Sequence, residues 1–163
     1  MNYSKYFRAL IILLIVSVNI GCDQVSKSIV RHKVEYNQTI ELIHKNFILT
    51  KVENSGAFLS LGDELAEPVR SILLVLFPIL ALLLALGMAL FNSRLDKVVV
   101  LGLCCVVGGG IGNIFDRVLY GSVTDFLHIN LNLIQTGVFN MADVSIMAGA
   151  ALILIQSQFK RTK

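Results

Sequence analysis

The sequence predicts an all-α membrane protein with four transmembrane helices, and three observations carry that prediction. The chain is 55% hydrophobic and 15% charged, with a mean hydropathy of +0.74, whereas ordinary soluble domains are about 45–50% apolar and about 25% charged. Four stretches approach the roughly 20 apolar residues that a helix needs to cross a hydrocarbon core about 30 Å thick. Lysines and arginines also collect on the connections that four spans would place on one side. At 163 residues and roughly 150 residues per domain, the whole of 1–163 is expected to form one integral membrane domain. Low charge excludes disorder, and a scattered net charge of +3 gives nucleic acid no footing.

The first span is expected at about 9–30. It is apolar from Ala9 to Cys22 and continues through Asp23, Gln24 and Lys27 to about Val30. Lys5, Arg8, the apolar run and Ile20-Gly21-Cys22 imitate a lipoprotein signal peptide. Asn19, however, stands three residues before the cysteine, where such signals favour Leu or a similar apolar residue, and cleavage would remove the span. An uncleaved helix with Cys22 packed inside is therefore expected; the competing reading makes the chain itself a lipoprotein. Residues 31–69 form the first outer segment, in which TIELI (39–43) and FILTKVE (47–53) flank His44, Lys45 and Asn46 and suggest a short hairpin or sheet.

The second span, about 70–91, is uncharged from Ser71 to Phe91 and contains Pro78, which predicts a kink that neighbouring helices can tolerate. The third, about 97–116, is uncharged from Val98 to Phe115. Its GGGIG (108–112) lacks the Lys and Ser/Thr of a phosphate loop, so close helix packing is the better reading. A second outer segment, 117–137, holds the strand-like VTDFLHI (123–129). The fourth span, about 138–159, carries Asp143 alone among charged residues.

Lys5, Arg8, Arg94, Lys97, Lys160, Arg161 and Lys163 flank one side with Asp96 as its single acid, while the other seven cations share the opposite side with ten acids. By the positive-inside rule both termini face the cytoplasm. Tyr6, Phe7, Phe91 and Phe159 then fall at inner span ends, where aromatic anchors belong.

Cys22, Cys104 and Cys105 are odd in number and apolar in setting, and read as buried small hydrophobes rather than a disulfide framework. His32, His44 and His128 are far apart, with no HExxH or CxxC, so no metal site or cofactor is expected. Ser26 beside Lys27 gives a poor Ser/Lys hydrolase, because adjacent helical residues point apart.

An ionised residue near a span's centre costs about 2.5–3.5 kcal/mol on insertion scales, so those present need a reason. Asp23 and Lys27 close the first span, Asp116 and Arg117 the third, Asp125 follows in the loop, and Asp143 opens the fourth. All would lie at the outer face. Asn113 and Asn140 each precede an Asp by three residues, one helical turn. Carboxylates at helix ends often only cap helices or pair with cations, and Asp23 with Lys27 and Asp116 with Arg117 are natural pairs of that kind. Asp125 and Asp143 have no adjacent cation. Two carboxylates held close share one proton, which lets one activate water while the other protonates a leaving amine.

Taken in order, DQVSK (23–27), NSGAF (54–58), GNIFDR (112–117), VTDF (123–126) and FNMAD (139–143) resemble the motifs of the lipoprotein signal peptidase (signal peptidase II) family. The segment Leu127 to Val138 departs in lacking a tryptophan common before the last motif. The resemblance implies a bacterial inner-membrane aspartic endopeptidase that cleaves before a cysteine bearing a thioether-linked diacylglyceryl group and is blocked by globomycin. It places the catalytic pair at Asp125 and Asp143 and puts Asp23, Lys27, Asn54, Gly56, Asn113, Asp116, Arg117, Asn140 and Ala142 on supporting or substrate-binding positions. It further implies a small extracytoplasmic β-cradle, a mobile short helix between Phe58 and Glu67, and contact with prolipoproteins and membrane lipids. The rival from another class is a small proton- or cation-coupled transporter or channel subunit.

Overall fold

The computed structural model describes residues 3–36, 38–43, 45–57, 62–131 and 134–161. Four of its helices are long and apolar enough to cross a membrane: α1 (Tyr3–Lys33), α2 (Glu67–Phe91), α3 (Lys97–Tyr120) and α4 (Met141–Arg161). Three strands, β1 (Thr39–Ile43), β2 (Phe47–Asn54) and β3 (Val123–Ile129), form one antiparallel sheet in the order β1-β2-β3. The two apolar-alternating runs of the first connection and the VTDFLHI run of the second are these strands. Val30, Val34 and Phe126 bury the sheet against the end of α1.

The helix bundle is built around α3. About 44% of its apolar stretch is buried, against 17%, 11% and 11% for the other three, which leave one side each to lipid. Glycine makes this central position possible, because a Cβ would collide with a different helix at each place. At Gly108 it would lie 2.5 Å from Asn19 Cβ of α1, at Gly110 2.6 Å from Leu82 of α2, and at Gly102 2.7 Å from the Gly149 carbonyl of α4. Small residues thus serve close helix approach, as expected for membrane bundles. Between α3 and α4 the Ser145 hydroxyl reaches the Cys105 carbonyl at 2.9 Å and also meets Asn19 of α1.

Pro78 acts through the turn before it. Its ring would crowd the carbonyl four residues back, at Leu74, and α2 is π-helical over Ile72–Leu76, with the Phe77 N–H donating to the Ile72 carbonyl. The expected kink takes the form of this widened turn. At the other end of α2, Arg8 of α1 donates to the carbonyls of Ala89 and Asn92, both at 2.9 Å, satisfying acceptors that a helix C-terminus leaves open. Asp96 caps α3 by accepting from the Val98 N–H at 2.9 Å.

Three expectations change. Cys22 is exposed on α1 rather than packed, while Cys104 is buried and Cys105 half-buried. α3 continues past Asp116 to Tyr120, because that carboxylate finds partners inside the protein. Val138 and Phe139 precede α4 instead of opening it: Phe139 bridges to Leu127, and its carbonyl accepts from the Phe126 and Leu127 N–H groups. Of the short helix expected between Phe58 and Glu67, 58–61 lie outside the described residues, and 62–66 form turns held by the Leu65 N–H on the Gly62 carbonyl.

Candidate active site

The site lies where α1 and α3 end, α4 begins and the sheet packs against them. α4 opens with a reciprocal cap. Asn140 Oδ1 accepts from the Asp143 N–H at 3.0 Å, and Asp143 Oδ2 accepts from the Asn140 N–H at 3.1 Å, so two orphan donors of the first turn are satisfied and both side chains are oriented. The Ala142 N–H goes to Asp23 Oδ1 of α1 at 2.9 Å.

The same Asn140 reaches Asp125. The pairing of Phe139 with Leu127 sets residue 140 beside β3, where Asn140 Nδ2 donates to Asp125 Oδ1 at 2.6 Å and to Asn113 Oδ1 at 3.2 Å. Asn113 Nδ2 in turn donates to Asp143 Oδ1 at 2.9 Å. Each candidate catalytic carboxylate is therefore held by amide donors, and Asn140 touches both.

From the sheet, Asn54 at the end of β2 lies diagonally across from Asp125 on β3, where side chains of one face meet. Its Nδ2 donates to Asp125 Oδ2 at 3.0 Å and to the Ala57 carbonyl at 3.1 Å, and its Oδ1 accepts from the Gly56 N–H at 3.0 Å. That side chain both shapes the turn after β2 and holds Asp125. Asp125 is only 4% exposed, and burial pushes its carboxyl from 3.8 up to about 6. The nearby Asp143 charge adds to the rise, and the Asn54 and Asn140 hydrogen bonds oppose it.

Behind these amides sits a buried charge cluster. Lys27 Nζ spends its three donors on Asp23 Oδ2 at 2.8 Å, Asp116 Oδ2 at 3.0 Å and Asn113 Oδ1 at 2.9 Å, and Lys27, Asp23 and Asp116 are all fully buried. Arg31 pairs with Asp116 at 2.9 Å and donates to Thr124 Oγ1 at 2.8 Å, which balances two carboxylates with two cations. Lys27 also fixes the sense of the amides: with a cation on Asn113 Oδ1, only Asn113 Nδ2 is left to face Asp143. Gly112 admits the cluster, since a Cβ there would lie 2.5 Å from Asp23 Oδ2.

Asp23 and Lys27 pair as expected. Asp116 does not pair with Arg117, whose Nη2 donates to the Gly56 carbonyl at 2.8 Å and so ties down the loop after β2. The Ser26 hydroxyl donates to the Asp23 carbonyl of its own helix and takes no part with Lys27. Sequence reasoning passed over Gln24, which donates to Gly112, Asp23 and Asp116, and Arg31, which also stacks over Tyr120 at 4.1 Å. Both lie beside motif residues at helical spacing, which was the available signal. Among the described residues no three His, Cys, Asp or Glu side chains gather as metal ligands.

Four membrane helices that enclose paired carboxylates under a small sheet define a membrane-embedded enzyme, and a solved bacterial membrane enzyme has the same architecture. It aligns over 93% of this chain and 89% of its own with a TM-score of 0.81 and 26% identity. The model of the family described as signal peptidase (SPase) II matches residues 14–159, and the chain belongs to that family of peptidases. A lipoprotein signal peptidase of Sulfurihydrogenibium sp. (strain YO3AOP1) is 36% identical over 138 residues, 84% of each chain. Another, of Maridesulfovibrio salexigens, is 37% identical over 153 residues, 93% of this chain and 96% of that one.

Proposed function

We propose that this protein acts as a single integral membrane unit that removes signal peptides from prolipoproteins, cleaving before a cysteine that carries an S-diacylglyceryl group, through an aspartic mechanism. Membership of the signal peptidase II family and the likeness to the lipoprotein signal peptidases support the reaction. The observation that carries the mechanism is Asn140, whose side chain and backbone hold Asp125 and Asp143 together.

Burial favours the proton on Asp125, which leaves Asp143 to act as the base. Asp143 takes a proton from water as the water oxygen adds to the scissile carbonyl carbon. Asp125 gives its proton to the leaving amine of the lipidated cysteine as the C–N bond breaks, and the released signal peptide ends in a carboxyl group. Asn54, Asn113 and Asn140 orient the pair; Asp23, Lys27, Asp116 and Ala142 hold those amides and the first turn of α4 in place. Arg117 and Gly56 position the loop beside the pair. Substrate enters from the bilayer, since its acyl chains and signal helix are both lipid-soluble, and globomycin competes for the same carboxylates. The reading places the site at the outer face of a bacterial inner membrane, with both termini cytoplasmic.

Cleavage of a purified diacylglyceryl-prolipoprotein tests it. The unmodified protein should process the substrate and globomycin should stop it. Asp125→Asn and Asp143→Asn should each lose at least about a hundredfold in rate, as removal of an acid–base group does, while still folding. Processing that survives either substitution removes that residue from the mechanism.

A further inference from the structure

Arg31 sits one turn beyond Lys27 on α1, and its guanidinium is engaged on three sides. Nη2 pairs with Asp116 of α3 at 2.9 Å, Nε donates to Thr124 Oγ1 of β3 at 2.8 Å, and the guanidinium carbon lies over the Tyr120 ring at 4.1 Å. Thr124 is fully buried, and its hydroxyl passes the contact on by donating to Glu53 Oε1 at 2.9 Å, while Ser122 Oγ donates to Glu53 Oε2 at 2.6 Å. A guanidinium can only donate and an ionised carboxylate can only accept, so the hydroxyl between them has one orientation. Glu53 and Thr124 are direct partners in the β2–β3 ladder. One clasp therefore ties both strands to α1 and α3.

We propose that Arg31 is a positioning residue for the cleavage reaction, acting through Thr124 to set β2 and β3 against the helices so that Asp125 meets the amides that hold it. The inference rests on the function proposed above. Glu53 immediately precedes Asn54 and Thr124 immediately precedes Asp125, and successive side chains of a strand point to opposite faces. The clasp on one face thus fixes where Asn54 and Asp125 project from the other. Asp125 has two bonds to keep there, 2.6 Å to Asn140 before α4 and 3.0 Å to Asn54. Val30, Val34 and Phe126 also join sheet and helix, but hydrophobic attraction is non-directional and leaves small slides open. A charge-assisted hydrogen bond has a defined direction and about twice the strength of a neutral one.

Cleavage of the diacylglyceryl-prolipoprotein by the intact enzyme, with kcat, KM and thermal unfolding measured for each variant, tests the proposal. Thr124→Val replaces the hydroxyl with a methyl group of similar size. It should lower kcat at least about tenfold, within the roughly hundredfold that a displacement of about 1 Å costs, and leave KM within about twofold. Thr124→Ser, which keeps the hydroxyl, should retain kcat within about twofold. Arg31→Met should lower kcat at least as far as Thr124→Val, and adding Thr124→Val to it should cost less than about twofold more, because the two act through one contact. Should Arg31→Met fail to fold, the Thr124 pair decides the matter. A lower unfolding temperature in Thr124→Val with kcat of the folded enzyme unchanged makes the clasp merely structural and overturns the proposal. Equal losses in Thr124→Val and Thr124→Ser, or losses that multiply in the double variant, overturn it as well. Failure of the unmodified enzyme to cleave overturns the function and this inference with it, whereas cleavage indifferent to Thr124 overturns this inference alone.

Discussion

The side chain and backbone N–H of Asn140 make four hydrogen bonds with three chemical purposes: two within the α4 cap, one to Asp125 and one to Asn113. Helix capping and the orientation of both carboxylates thus share one side chain, and Asp143 can move only if the cap opens. Asp125 carries a measurable trace of this confinement. Its folded-state pKa, about 6, lies above the ordinary 3.8, so the folded protein binds that proton more tightly. The resulting stabilisation is complete below about pH 3.8 and is lost as pH rises through about 6. Thermal unfolding in detergent between pH 4 and 8 should show a fall through that window that Asp125→Asn lacks; coincident profiles would count against it. The motif spacing made Asn113, Asn140 and the two aspartates legible from sequence. Arg31 was not, because its partners Asp116 and Thr124 are far along the chain and no periodicity reports such a contact. For Asp116 the nearest cation in sequence proved the wrong partner, since helix geometry turns Arg117 away toward Gly56.

At the scale of elements, hydropathy and length identify the four helices and strand alternation identifies the sheet, because both signals are local. What they miss are the junctions. Val138 and Phe139 are apolar and read as helix, yet sheet pairing holds them extended, and this short departure is what brings Asn140 to Asp125. The glycines of α3 act on the same junction, since a Cβ on Gly109 would collide with the Ala142 carbonyl in the first turn of α4. Gly109→Ala should lower stability by about 1–3 kcal/mol, the usual cost of overpacking, and reduce cleavage by shifting Asp143. Gly87→Ala, where nothing lies within 4 Å, should leave both unchanged. Thermal unfolding and the cleavage assay measured together decide the matter; equal losses in the two variants would refute the packing account.

Across the whole molecule, charge is arranged by end. The end that carries Arg8, Arg94 and Lys97 is basic, and the sheet end holds most of the acids. In a background of Cys22→Ala, Cys104→Ala and Cys105→Ala, a cysteine at Glu41→Cys should react with an impermeant maleimide in intact cells. One at Ser93→Cys should react only after the membrane is opened. The reverse pattern would invert the proposed topology.

The buried ion cluster has a consequence for how the chain reaches its membrane. α1 carries Asp23 and Lys27 toward lipid before α3 has been made, and only α3 brings Asp116 and Asn113 to meet them. Until then one helix holds an opposed pair with open hydrogen-bonding capacity in a solvent that offers none. The charged pair of the first helix is therefore fully satisfied only once the third has arrived, by a chemical match between segments made at different times.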